Sequence, residues 1–146
     1  MAVNTIEIAA PPETVFDVLA DPALYGYWVV GARVIRGADD GFPAPGTRLH
    51  HTVGVGPLSL RDHSTVVESE RPKRLVLDAN LGPIGSALVT LDLIENDGGT
   101  RVVMTERASR GIPARLAQRV GDALLRGRNT VSLERLKELA EGRARG

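Results

Sequence analysis

Apolar and polar residues alternate along most of the chain with a period of two, which is typical of β-strands. The first such segment covers residues 3–9, where Ile6 and Ile8 share one face. Six further segments follow, and turn-forming residues separate them. The pattern predicts these strands at residues 32–37, 48–53, 58–69, 74–81, 86–95 and 101–107. Asn96-Asp97-Gly98-Gly99 is the strongest hairpin signal among the turns.

A spacing of three and four residues between apolar positions predicts helices at both ends of the chain. The first helix opens at Pro11-Pro12-Glu13, since proline suits a first turn and an acid favours a helix N-terminus, and it ends at Asp21-Pro22. A short second helix is predicted over residues 23–27. A long helix is predicted to begin at residues 111–113 and to continue to residue 141. Its apolar stripe comprises Leu116, Val120, Ala123, Leu124 and Val131, continued with a shift in phase by Leu133, Leu136 and Ala140.

This order of elements predicts an α+β fold in which the helices pack on one face of an antiparallel sheet. We expect a curved sheet of six to seven strands, two short N-terminal helices and one long C-terminal helix over the sheet. A long helix against a curved sheet leaves a space between them, which is a candidate ligand cavity. We expect this cavity to be mostly apolar, with a volume of roughly 300–1,000 Å³.

Composition adds bounds on the class of protein. The chain has 146 residues, of which 42% are hydrophobic and 25% are charged, as in an ordinary globular domain spanning residues 1–146. The absence of cysteine excludes disulfides, thiolate metal sites and a cysteine nucleophile. No segment reads as a signal peptide or a membrane span, so a cytoplasmic location without integral membrane association is expected.

The net charge is zero, but its distribution is uneven. Residues 107–146 hold ten basic and four acidic residues, a net charge of +6, and the rest of the chain balances it. All five aromatic residues lie within the first 42 positions, so no base-stacking platform accompanies the basic segment. We therefore expect no nucleic-acid partner. The basic helix is interpreted as a solvated face, with an interaction surface as the alternative.

Three histidines fall on one predicted hairpin, and strand alternation decides which way they point. If Val53 pairs with Leu58, His51 and Asp62 face the interior, while His50 and His63 face outward. The three rings then do not converge, so neither a zinc site nor another metal or cofactor site is expected. His51 and Asp62 remain as an inward polar pair. They are either a buried hydrogen-bonded pair or a ligand-orienting, acid–base pair.

Other side chains are expected near the cavity, each with a structural alternative. Glu106 shares a face with Met104 and is expected to pair with Arg115 or Arg119. Trp28 is either a core anchor or an aromatic wall for a ligand, and Phe42 is either a gate or a loop anchor. The catalytic candidates are His51, Asp62 and Glu106. The expected ligand-binding residues are Trp28, Phe42, His51, Leu60, Asp62, Met104, Glu106, Val120 and Leu124.

Two stretches carry a family resemblance. Residues 12–22, PETVFDVLADP, followed by Tyr25 and Trp28, resemble the N-terminal signature of the START-like, or SRPBCC, superfamily. Residues 98–102, GGTRV, followed by Glu106, resemble a later part of the same pattern. The superfamily includes the birch-pollen allergen fold and the aromatase/cyclases of polyketide synthesis. The resemblance implies a helix-grip fold with a cavity. It supplies no catalytic motif, and the fold alone does not decide the function.

Three functions follow as hypotheses. The first is binding of a small hydrophobic or amphipathic ligand in the cavity. The second is an enzyme of the polyketide cyclase/dehydrase type, in which His51, Asp62 or Glu106 would move protons. The third is a non-catalytic interaction module that uses the basic helix. Several ionisable residues around a large cavity would favour the enzyme. A dry cavity with one polar group would favour the binding protein, and a filled interior would favour the interaction module.

Overall fold

The chain forms one seven-stranded antiparallel sheet, with a long C-terminal helix against it. The computed structural model describes residues 1–29, 32–55, 58–80, 85–111 and 122–146, with the backbone alone for residues 32–34, 53–55, 58–60, 109–111 and 122–125. The strands are β1 (Ala2–Ile8), β2 (Ala32–Ala38), β3 (Arg48–Val55), β4 (Leu58–Glu70), β5 (Arg74–Asn80), β6 (Gly85–Asn96) and β7 (Gly99–Gly111).

Strands β2 to β7 follow one another as a meander, and β1 returns to pair with β7, so the order is β1-β7-β6-β5-β4-β3-β2. Bulges interrupt β2, β4 and β7. Each bulge bends its strand and increases the local twist. The sheet therefore curves, and its concave face receives the helices. The predicted α+β fold of the helix-grip type is confirmed.

The helices are α1 (Pro12–Leu19), α2 (Tyr25–Trp28) and α3 (Asp122–Arg145), with a 3₁₀ turn at Pro22–Leu24. Proline occupies the first turn of α1, as the sequence predicts. The Asp21 carboxylate accepts a hydrogen bond from the Ala23 backbone N–H and so caps the 3₁₀ turn. Among the described residues, no helix is both long enough and apolar enough to cross a membrane.

The hairpin between β6 and β7 has the turn that its sequence predicts. Asp97 and Gly98 both adopt positive φ, at 51° and 82°, which is the geometry of a type I′ turn. The next residue, Gly99, lies against β1: a Cβ atom there would be 2.6 Å from the Ile8 carbonyl oxygen. Glycine is required at this position because the two backbones approach each other so closely.

Helix α3 is held by apolar packing and by hydrogen bonds to the N-terminal strand. Leu133, Leu136 and Ala140 are buried in a core that includes α1 and the concave face of the sheet. Asn4 donates from Nδ2 to the Arg126 carbonyl and to Thr130 Oγ1, at 3.0 Å each. These contacts fix the height and rotation of the described part of α3 over the sheet.

The apolar stripe predicted for the long helix is wrong at Val131, which is 40% exposed. Asn129 and Ser132 are buried instead, on the side that faces the sheet. Strand β7 continues to Gly111, four residues beyond the predicted end, and the helix ends at Arg145 rather than at residue 141. The remainder of the predicted helix start, residues 112 and 113, lies outside the described residues.

The hairpin of β3 and β4 pairs Val55 with Leu58, so the predicted pairing of Val53 with Leu58 is wrong by two residues. Both strands continue further than predicted, and the connection between them is only residues 56 and 57. A shift of two residues leaves the described side chains on their predicted face, because alternation along a strand has a period of two. His51 is accordingly buried, and it lies opposite Asp62 in the register.

Candidate functional site

A cavity of about 110 Å³ lies between the concave face of the sheet and helices α2 and α3. Most of its described lining residues are apolar, and these come from α2 with the residue after it and from β2, β5, β6 and β7. These apolar residues are Tyr25, Trp28, Val29, Ile35, Leu77, Ala79, Ala87, Val89, Leu91 and Met104. The polar ones are His51, Ser64, Asn80, Glu106, Arg128, Asn129 and Ser132.

The volume is below the range expected from the sequence. Tyr25 and Trp28 fill much of the space near β2 and β3, with their ring centres 5.0 Å apart. At the other end, α1 and the C-terminal half of α3 close the core through Phe16, Leu133 and Leu136. What remains is space on the scale of one six-membered ring, since an apolar cavity of about 150 Å³ accepts benzene.

His51 brings an imidazole to the cavity from β3. Its Nε2 is 2.9 Å from Ser64 Oγ, and its Nδ1 has no hydrogen-bond partner among the described residues. Burial lowers the pKa of His51 below its ordinary value of 6.5, although the Asp62 carboxylate opposes this shift. His51 is thus neutral near pH 7. Its free Nδ1 donates or accepts according to which nitrogen holds the proton.

Tyr25 and Trp28, which line the same cavity, carry two more polar atoms. Both residues are almost fully buried, with 4% and 2% of their surfaces exposed. Tyr25 Oη and Trp28 Nε1 have no hydrogen-bond partner in the described part of the chain. Burial raises the pKa of the Tyr25 hydroxyl, so this group stays protonated. Buried polar groups are nearly always paired in folded proteins, so three unpaired atoms around one cavity need an explanation.

Glu106 joins β7 to α3 at another part of the cavity. Its carboxylate accepts hydrogen bonds from Arg128 Nη2 at 2.6 and 2.7 Å and from Asn129 Nδ2 at 2.9 Å. The arginine partner of Glu106 is therefore Arg128. The expected partners, Arg115 and Arg119, lie outside the described residues. This ion pair is satisfied within the protein, in contrast to the group around His51.

Four of the residues expected at the site line the cavity: Trp28, His51, Met104 and Glu106. Asp62 and Phe42 are not among its described lining residues. Asp62 Oδ1 accepts a hydrogen bond from the backbone N–H of His63 at 2.8 Å, which turns it toward its own strand. Phe42 packs edge-on against the Tyr25 ring, with centres 6.2 Å apart, as a loop anchor does. The side chains of Leu60, Val120 and Leu124 lie outside the described part of the structure.

Sequence reasoning missed Tyr25, Ser64 and Asn129 as cavity residues. Ser64 is the inner-face position after Asp62, so the alternation along β4 already pointed to it. Asn129 and Ser132 interrupt an apolar stripe three residues apart, and polar residues on a buried helix face signal a polar neighbour opposite them. Over the described ranges, no group of three His, Asp or Glu side chains is placed to hold a metal ion.

A family model described as polyketide cyclase/dehydrase and lipid transport matches residues 2–141. The chain belongs to this family. The resemblance to the START-like superfamily is thereby confirmed over nearly the whole chain. No curated protein matches it by sequence.

Solved structures share the fold of this polyketide cyclase/dehydrase family member. A protein from Nitrosomonas europaea superposes with a TM-score of 0.74 at 17% identity, covering 97% of this chain and 94% of that one. A protein from Mesorhizobium loti gives 0.67 at 24% identity, with 94% of each chain covered. The di-domain aromatase/cyclase StfQ of the steffimycin biosynthetic pathway gives 0.71 at 12% identity, covering 99% of this chain and 51% of that one.

Proposed function

We propose that the protein binds a small, mainly apolar molecule in the cavity between the sheet and α3. The observation that carries this proposal is an apolar cavity among whose lining residues three carry a buried polar atom that the described protein residues do not satisfy. Ligand sites commonly combine an apolar lining with a few polar groups that orient the ligand. The family assignment is consistent with this function.

The volume of the cavity limits the size of the ligand. A single ring with a short substituent matches about 110 Å³, whereas a chain long enough to fold into several fused rings does not. Binding would gain roughly 25 cal/mol for each Å² of apolar surface removed from water, so a one-ring ligand is expected to bind with modest affinity.

The chain contains one tryptophan, and Trp28 lies on the cavity, so its fluorescence reports occupancy directly. One-ring compounds such as acetophenone should change the Trp28 emission saturably. Ala87 also lines the cavity, and Ala87→Leu should fill part of it and weaken binding at least tenfold. Ala144→Leu, at an exposed position near the C-terminal end of α3, is the matched control and should bind like the wild type. Equal binding by both variants would contradict the cavity as the site.

A second candidate function is proton transfer on the bound ligand, in the manner of a cyclase or dehydrase. The neutral His51 imidazole with its free Nδ1 favours this candidate, because such a nitrogen can accept a proton. Asp62 and Glu106 are weaker candidates, since the former bonds its own strand and the latter pairs with Arg128.

Hydrogen–deuterium exchange at the methyl group of acetophenone tests this second function. A base removes a proton next to the carbonyl, and the solvent returns a deuteron in D₂O. NMR would then show exchange that His51→Gln abolishes while Trp28 still reports binding. Exchange no faster than in buffer would eliminate the enzymatic candidate and leave ligand binding untouched.

A further inference from the structure

We propose that the α2 end of the cavity is a subsite for an uncharged carbonyl oxygen of the ligand, bound by Tyr25 and Trp28 with His51 beside them. The inference rests on the proposed binding function and adds the chemical class of the ligand. It predicts a small aromatic or alicyclic ketone, ester or amide rather than a hydrocarbon or a carboxylate.

The three residues reach one end of the cavity from two elements. Tyr25 and Trp28 lie on α2, and this helix lies against Ile35 of β2, because a Cβ atom at Gly26 would be 3.8 Å from Ile35 Cγ1. Ile35 pairs with His51 in the sheet. The α2 rings and the imidazole are therefore neighbours. Strands β4, β5 and β6 lie between His51 on β3 and Glu106 on β7.

The chemistry of these groups calls for an acceptor. The indole N–H of Trp28 can only donate, and the Tyr25 hydroxyl has a proton to donate. Each donor is buried without a partner among the residues that the structure describes, which costs free energy that an acceptor on the ligand would recover. His51 Nδ1 is a third donor when Ser64 donates to Nε2, so the three residues together offer two or three donors and no obligate acceptor.

The charges around the cavity favour an uncharged ligand. Arg128 is the sole arginine or lysine among the described lining residues, and Glu106 occupies it through two hydrogen bonds. His51 is neutral, because burial lowers its pKa. The Arg36 guanidinium near His51 donates to the His51 and Asp62 carbonyl oxygens. A carboxylate at the α2 end would thus be buried with no unengaged counter-charge among the described lining residues, which is strongly unfavourable.

Calorimetric titration with three one-ring probes of similar shape tests the subsite. Acetophenone carries the carbonyl, ethylbenzene lacks it, and benzoate carries a charge. We expect acetophenone to bind about three- to tenfold more tightly than ethylbenzene, and benzoate to bind more weakly than both. Tighter binding of benzoate than of acetophenone would overturn the preference for an uncharged group.

Tyr25→Phe removes one donor and keeps the ring. This variant should lose most of the preference for acetophenone and bind ethylbenzene as the wild type does. Without ligand, its thermal midpoint should be unchanged or higher, because an unpaired buried hydroxyl has been removed. Tyr27→Phe is the matched control, since Tyr27 is 53% exposed, and it should keep the full preference.

The outcomes separate this subsite from the function on which it rests. If acetophenone and ethylbenzene bind equally, and Tyr25→Phe changes neither, the subsite is wrong while the apolar cavity still binds ligand. If no probe changes the heat signal or the Trp28 emission, the proposed binding function fails and the subsite fails with it.

Discussion

At the residue scale, the environment of His51 results from two opposing effects. Burial among apolar neighbours disfavours the imidazolium form, and the Asp62 carboxylate on the adjacent strand favours it. The sequence predicted the pair but left the sign of the shift open. Burial is the larger effect and lowers the pKa, and the nearby Arg36 guanidinium acts in the same direction.

Replacing Asp62 with Asn should lower the pKa of His51 further, since the substitution removes the charge that opposes burial. NMR titration of the imidazole resonances measures this directly. A rise in the His51 pKa, or no change, would show that Asp62 does not act on the imidazole.

The same shift makes stability depend on pH. The folded pKa of His51 lies below its unfolded value, so the unfolded chain takes up the proton first as the pH falls. The contribution of His51 is fully present above about pH 6.5, declines as the pH falls below that value and levels off below the folded pKa. Urea unfolding of wild type and His51→Gln between pH 7.5 and pH 5 should show a shallower decline in the variant.

Gly99→Ala should destabilise the protein by about 1–3 kcal/mol, because its Cβ atom would meet the Ile8 carbonyl oxygen at 2.6 Å and force β1 away from β7. Gly127→Ala is the control, on the exposed surface of α3 with nothing within 4 Å of the new atom. It should stabilise the helix by up to about 1 kcal/mol. Similar unfolding midpoints for the two variants would contradict the close approach at Gly99.

At the scale of elements, α3 links the sheet to the cavity through a mixed face. Leu133, Leu136 and Ala140 bury the C-terminal half, while Arg128, Asn129 and Ser132 line the cavity. A sequence pattern based on apolar spacing finds the first group. It cannot find the second group. Without knowledge of the strand that faces them, buried polar residues on a helix read only as an irregularity in the apolar period.

Leu136→Ala should cost about 2–5 kcal/mol of unfolding free energy, since Leu136 is fully buried and its loss leaves a void beneath α3. Val131→Ala removes apolar atoms from the same helix at a position that is 40% exposed, and should cost about 0.5 kcal/mol or less. Chemical denaturation separates the two. A larger loss of unfolding free energy for Val131→Ala than for Leu136→Ala would support the apolar stripe predicted from the sequence and contradict the observed rotation of the helix.

At the scale of the whole molecule, the sequence determined the order of elements more securely than the contents of the cavity. Alternation, proline at Pro12 and the turn at Asp97-Gly98 are local signals, and each element they predict is present. The cavity depends on residues from different elements, such as Tyr25 against His51 and Glu106 against Arg128. Those pairings depend on sheet order and bulges, which no local pattern encodes.

Intermolecular nuclear Overhauser effects between acetophenone and the methyl groups of the protein show directly where the ligand lies. We expect contacts from the ring protons to Leu77, Val89 and Met104, whose side chains line the cavity on β5, β6 and β7. Ala87→Leu should weaken all of these contacts together. Contacts confined to exposed methyl groups such as Val67 or Val131, or none at saturating ketone, would contradict a binding cavity between the sheet and α3.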